Sequence, residues 1–308
     1  MLSLKGRVMG YLFLGCAMLC GLTKGFCGKK VSGFVKESRD AMLANFLRMT
    51  ICIAIGFFVV VFSDGFGGFN VGSLGFLISV LSGVSNAAFV VLWLFAVKRG
   101  AYMLVDIFLT LGLVVPILLS AIFFDERIEW NHYVGFAVLL AAVLVMCSYN
   151  NTVKAKLDLK SLILLSFCGL AQGLLSFSQK WFAKYSGGSG VSSFNFYTYV
   201  FAAAILLGCF LMIKAKDEHS KEECEHNFTI KPIWYFILIM AVMLFLNSYF
   251  MTFAAIHLES VVLYPLSTGL GLVLSAAMSS IFFGEKLKAR CVVGMVLAFA
   301  SLIIINLL

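Results

Sequence analysis

"IFFGEKLKARCVVG", residues 281–294, and "IFFDERIEWNHYVG", residues 122–135, are two versions of one phrase. Six of the fourteen positions are identical, Glu126 with Glu285 and Gly135 with Gly294 among them, at a constant offset of 159 residues. At the same offset "FAVKRGAYMLVD" (95–106) lies over "AAIHLESVVLYP" (254–265). Slightly shorter offsets align "NFLRMT" from Asn45 with "NFYTYV" from Asn195, and "FCGKK" from Phe26 with "FSQKW" from Phe177. A chain of 308 residues repeats itself at half its length, which divides it into 1–150 and 151–308.

Composition says what is repeated. The chain is 62% hydrophobic and 12% charged, whereas a soluble domain holds about 45–50% apolar and about 25% charged residues. Hydropathy marks ten apolar spans near 8–28, 42–63, 73–96, 102–124, 130–148, 161–182, 194–213, 232–255, 260–283 and 291–308. A membrane helix needs roughly 20 such residues, and the alternating segments of about 10 residues that build a membrane β-barrel are absent. The first segment, "MLSLKGRVMGYLFLGCAMLC", runs on past Cys20 without a small-residue cleavage site and reads as a first transmembrane helix. The expected fold is all-α and polytopic, with ten transmembrane helices. Five spans per half force the second copy to enter the membrane upside down, giving a 5+5 inverted-topology repeat.

The net charge of +8 records orientation rather than affinity for nucleic acid. The loops after spans 1, 3, 5, 7 and 9 carry 16 Lys and Arg, against 4 in the N-terminus and the remaining loops. Basic loops stay in the cytoplasm, so both termini are expected outside. The bacterial cytoplasmic membrane is the expected location. Lys24, Arg48 and Lys180 fall within spans.

The closing phrase of each half resembles the ten-helix EamA type of the drug/metabolite transporter superfamily, whose half-repeat ends in a short Gly-Glu turn and a final helix opening with glycine. Here that is "FFGEKL" before Gly294 and, in altered form, "FFDERI" before Gly135. Residues 264–308 also resemble the last two helices of the small multidrug resistance proteins of the same superfamily. Those proteins place a proton-binding glutamate in their first helix, where this chain has Gly21 and, in the second half, Gln172. Their aromatic residue in helix three is replaced by Ser267. The resemblance implies a carrier, without the carboxylate that drives expulsion of cationic drugs.

Charges inside a membrane are functional candidates because they are costly there. Lys24 and Arg48 either snorkel to headgroups or pair with Asp106, forming a cytoplasmic gate or an anchor for a charged substrate. The repeat sets Pro265 opposite Asp106, so such a device is one-sided, and Asp106→Asn is expected to impair transport with little loss of folded protein. Asn86, Gln172, Asn195, Asn247, Tyr249 and Tyr264, with Ser85 and Gln179, are polar positions deep in the spans. Each can bond a neighbouring helix; as a set they can line a cavity for a small amphipathic or zwitterionic solute. Pro265, Gly269 and Gly271 suit a bending gate helix or a close helix approach. Glu126 and Glu285 are expected to cap helix N-termini from interhelical turns.

Other classes find little support. No HExxH, GxSxG or P-loop motif occurs, so neither an enzyme nor direct ATP drive is indicated. Eight of the nine cysteines lie in or beside apolar runs, where a thiol acts as a small hydrophobe. His219, Cys224 and His226 lack a fourth metal ligand, and no cofactor is implied. The partners expected are the bilayer and a small-molecule substrate, with a monomer as a workable unit. The function read from these features is a secondary carrier that exports or exchanges a small metabolite, an amino acid or nucleobase-like solute. Multidrug efflux of amphipathic compounds is the alternative, and a channel fits the one-sided charges and kinked span 9 less well.

Overall fold

The computed structural model describes residues 4–32, 34, 38–98, 108–147, 159–219, 233–283 and 289–307. They form helices α1 (Leu4–Ser32), α2 (Ser38–Asp64), α3 (Gly72–Lys98), α4 (Val114–Phe124), α5 (Trp130–Cys147), α6 (Leu159–Ser186), α7 (Val191–His219), α8 (Trp234–His257), α9 (Ser260–Phe283) and α10 (Ala289–Leu307). A helical stretch at 108–112 leads into α4, and no strand occurs among the described residues. Each span read from hydropathy overlaps one of these helices, the fourth only in part because residues 102–107 lie outside the described residues. Several run further: α1 continues to Ser32 and α2 starts already at Ser38, because backbone hydrogen bonding does not stop where apolarity does.

Five stretches are long and apolar enough to cross a membrane: Gly6–Gly28, Arg39–Asp64, Gly72–Trp93, Val191–Ala215 and Trp234–His257. Phe108–Phe124, Trp130–Val145 and Val292–Ile305 are shorter apolar helices. The outer face is apolar, and the interior mixes an apolar core with small polar residues. Phe62, Met212 and Ile122 are 85%, 74% and 72% exposed, whereas Ser79, Ser193 and Asn195 are fully buried. Large apolar side chains facing out and small polar ones facing in suit a bundle whose solvent is lipid. This is an integral membrane protein.

The most extensive helix pairing is α1 with α8, followed by α5 with α10, α3 with α6 and α2 with α7. The α1–α8 pair is antiparallel. Gly10 sits against His257 and Leu258, the Ala17 carbonyl accepts from Asn247, and Gly28 faces Met240. Glycine makes the closest crossing possible. A Cβ on Gly169 would strike the Phe108 carbonyl, and one on Gly112 would strike the Gly169 carbonyl. Gly173 faces the Gly112 carbonyl in the same way, so "GLAQG" (169–173) is the groove that seats the chain entering α4. Gly271 differs from the close-approach expectation: an added Cβ there meets nothing within 4 Å. Gly169→Val is expected to lower thermal stability in detergent by about 1–3 kcal/mol through overpacking, while Gly271→Ala leaves it unchanged or slightly raised. Parallel melts of the two variants check both.

Candidate functional site

At one end of the bundle, four elements are fastened by a buried ion pair. Asp125 ends α4 in the left-handed region, φ 52°, which turns the chain so that Glu126 points inward. Its Oε1 lies 3.0 Å from Lys180 Nζ on α6, with the side chains 4% and 1% exposed. Glu126 Oε2 accepts the Ser260 N–H at 2.7 Å, and Lys180 Nζ donates to the Leu258 carbonyl at 2.5 Å. The charges fit what they touch. The ammonium meets the C-terminal end of α8, and the carboxylate meets the N-terminal end of α9, each opposite in sign to the local helix dipole. Ser260 Oγ donates to Ser120 Oγ on α4 at 2.7 Å. One turn deeper, Tyr264 Oη donates to the Ser176 carbonyl of α6 at 2.6 Å. The glutamate thus caps α9, in the other half of the chain, rather than α5, the helix that follows it.

Outside this fastening lies a cavity of about 820 Å³. Arg7, Arg127, Lys180 and Lys184 line it together with Asp125, Glu126, Glu129 and Glu259. It is a vestibule of mixed charge with no excess of either sign.

A polar layer runs through the bundle below. Gln179 Nε2 donates to Ser248 Oγ at 3.1 Å, and Ser248 Oγ donates to Asn195 Oδ1 at 2.7 Å, tying α6, α8 and α7 together. Asn195 Nδ2 also donates to the Val191 carbonyl. Asn247 Nδ2 donates to the Ala17 carbonyl at 2.6 Å. Tyr199 Oη reaches the Leu244 carbonyl and Cys52 Sγ the Ala241 carbonyl, both at 3.3 Å. Asn195, Asn247 and Tyr264 are therefore interhelical pins. Asn86 and Gln172 have no hydrogen-bond partner among the described residues, and Tyr249 packs its ring against Phe245, Phe250 and Phe253.

Lys24 and Arg48 lie beside this layer. Both are half-buried, and each acts electrostatically on Cys52. Arg48 also acts electrostatically on Lys24, and Tyr199 on Arg48. Pro265 is buried within α9 and Gly269 beside it. Asp106 and Glu285 lie outside the described residues.

Sequence reading singled out Glu126 but passed over Lys180, Ser120 and Ser260. The only signal for Lys180 was its position inside a span, in the repeated "FSQKW". Cys52, Tyr199 and Ser248 give none: the first two bond backbone carbonyls, and Ser248 bonds Gln179 and Asn195 on two other helices.

Among curated protein sequences, none matches this chain. A solved crystal structure, described in no more specific words than as that of a protein, superposes with a TM-score of 0.76 at 15% identity, covering 98% of both chains. At that identity the likeness is one of fold. Residues 157–307 match the model of the EamA-like transporter family. By that half of its sequence, the chain belongs to the EamA-like transporter family, part of the drug/metabolite transporter superfamily.

Proposed function

We propose that the protein is a secondary carrier that moves a small metabolite across the cytoplasmic membrane by alternating access, with residues 1–150 and 151–308 as two inverted five-helix halves. One observation carries this reading. Exchanging each helix with the one five places along the chain maps most of the main interfaces onto one another, although α9–α10 and α6–α8 find no comparable counterpart among the described residues. The α1–α8 interface becomes α6–α3, α2–α8 becomes α7–α3, and α4–α6 becomes α9–α1, while α2–α7 and α5–α10 map onto themselves. Together with the 159-residue repeat, that pattern supports a two-fold axis in the membrane plane, on which two alternating gates depend.

In this reading the Glu126–Lys180 fastening closes the end that the Lys and Arg count puts outside. Export or exchange of an amino acid or nucleobase-like solute fits the amide and phenol layer beneath it. Counterflow in proteoliposomes, with labelled amino acids, nucleobases and lipophilic cations, tests the proposal. Accumulation of one metabolite class against preloaded substrate is expected. Flux without counterflow would indicate a channel and defeat the carrier reading.

A further inference from the structure

Two cations share one level of the helix bundle. On α1, Ala17, Gly21 and Lys24 follow at helical spacing along one face. Ala17 bonds Asn247 and Gly21 faces the same side chain, so Lys24 also points toward α8. On α2, Arg48 lies one turn before Cys52, whose thiol donates to Ala241 of α8. From the other side, fully buried Tyr199 reaches Leu244 of α8. The two cations therefore flank the 241–244 turn of α8 and face into the protein.

They also lie inside the apolar stretches. Within Gly6–Gly28 and Arg39–Asp64, Lys24 is about 6 Å and Arg48 about 13 Å from the nearer end at 1.5 Å per residue. Their charges act on Cys20, Cys52 and Tyr199, all buried, which fits an inward placement better than snorkelling. No carboxylate faces either of them among the described residues, and Arg48 Nε is enclosed with no hydrogen-bond partner. Even paired with Asp106, two cations leave one positive charge. Nor does the fold require them. The repeat places Thr198 opposite Arg48 and Leu175 opposite Lys24, so the second half is built with neutral residues at both places.

Like charges held close inside a membrane protein, with a fork of guanidinium donors left open, are stabilised when an anion arrives. We propose that Lys24 and Arg48 form a subsite for the oxyanion of the transported solute, a carboxylate or a phosphate. The apolar side chains of Phe46, Phe89, Leu244 and Tyr249 packed nearby select a small amphipathic organic anion. This deepens the carrier reading and rests on it only for the word "transported".

The test is thermal unfolding of the purified full chain in detergent with named probes: benzoate, glutamate, succinate and phenyl phosphate, against benzamide, tetraphenylphosphonium and sodium sulfate. At least one organic anion is expected to stabilise the protein, and benzoate against phenyl phosphate separates carboxylate from phosphate. Arg48→Gln and Lys24→Gln should each raise the half-saturating concentration about tenfold or more. Without any probe, Lys24→Met should raise the unfolding midpoint, because it removes a charge that lacks a partner.

Lower midpoints for both Lys24→Met and Arg48→Gln without probe would mean that the cations have protein partners, and would overturn the subsite. So would equal stabilisation by benzamide, no stabilisation by any organic anion, or stabilisation by sulfate alone, which would be an inorganic anion site. Counterflow separates the two readings. Anion binding without counterflow sinks the carrier and leaves the subsite standing. Counterflow that is unchanged in both variants sinks the subsite alone.

Discussion

Lys180→Met is expected to lower the stability of the detergent-solubilised protein by about 3–5 kcal/mol, the range found when one partner of a buried ion pair is removed. Two groups are stranded. Glu126 keeps a full carboxylate in a setting 4% exposed, with only the Ser260 N–H in contact. The Leu258 carbonyl loses the donor that satisfies the end of α8. Glu126→Gln should cost less, since an amide oxygen can still accept from Ser260 and Lys180 can still bond Leu258. The double variant Lys180→Met with Glu126→Gln should be milder than Lys180→Met alone, because no unpaired charge remains. Thermal or denaturant unfolding of the four proteins gives the coupling directly. If the two single losses simply add, the pair is not coupled and the contact contributes through packing.

That coupling is what sequence reading could not see. The helical, apolar character of the chain was legible because each span is a continuous apolar run, and such a run has few alternatives to a helix in lipid. The repeat was proposed because Glu126 and Glu285 sit in phrases alike at six of fourteen positions. Partners were not legible. Lys180 and Glu126 are far apart in the chain, and which lysine answers which glutamate is settled only when α4 and α6 pack. The polar residues show the same limit. Asn195, Asn247 and Tyr264 are amides and a phenol at membrane depth, equally suited to a solute or to a helix. The structure spends all three on serine or backbone partners in other helices. Backbone carbonyls exist at every position, so sequence does not reveal which donors are already satisfied. Gly271 and Gly169 also look alike in sequence. Only packing shows that Gly169 faces a carbonyl and Gly271 faces open space.

Oxidising the double variant Ser120→Cys with Ser260→Cys is expected to bring counterflow to background, and reductant to restore it. The two hydroxyl oxygens are 2.7 Å apart and both side chains are fully buried. Two sulfurs in their places need only a small adjustment to reach the roughly 2.05 Å of a disulfide. Ser120 belongs to α4 and Ser260 to α9, helices five places apart, so in the carrier reading the bond would cross between the halves at the end proposed to be closed by the ion pair. Alternating access requires that end to open once in every cycle, and a covalent bond cannot be opened by substrate. Either single cysteine variant should keep its rate under the same oxidant, which controls for the native thiols, of which Cys16 is exposed. Complete cross-linking with undiminished counterflow would mean that α4 and α9 stay together throughout transport. The buried ion pair beside them would then be a permanent fastening of the fold, and the moving gate would lie elsewhere.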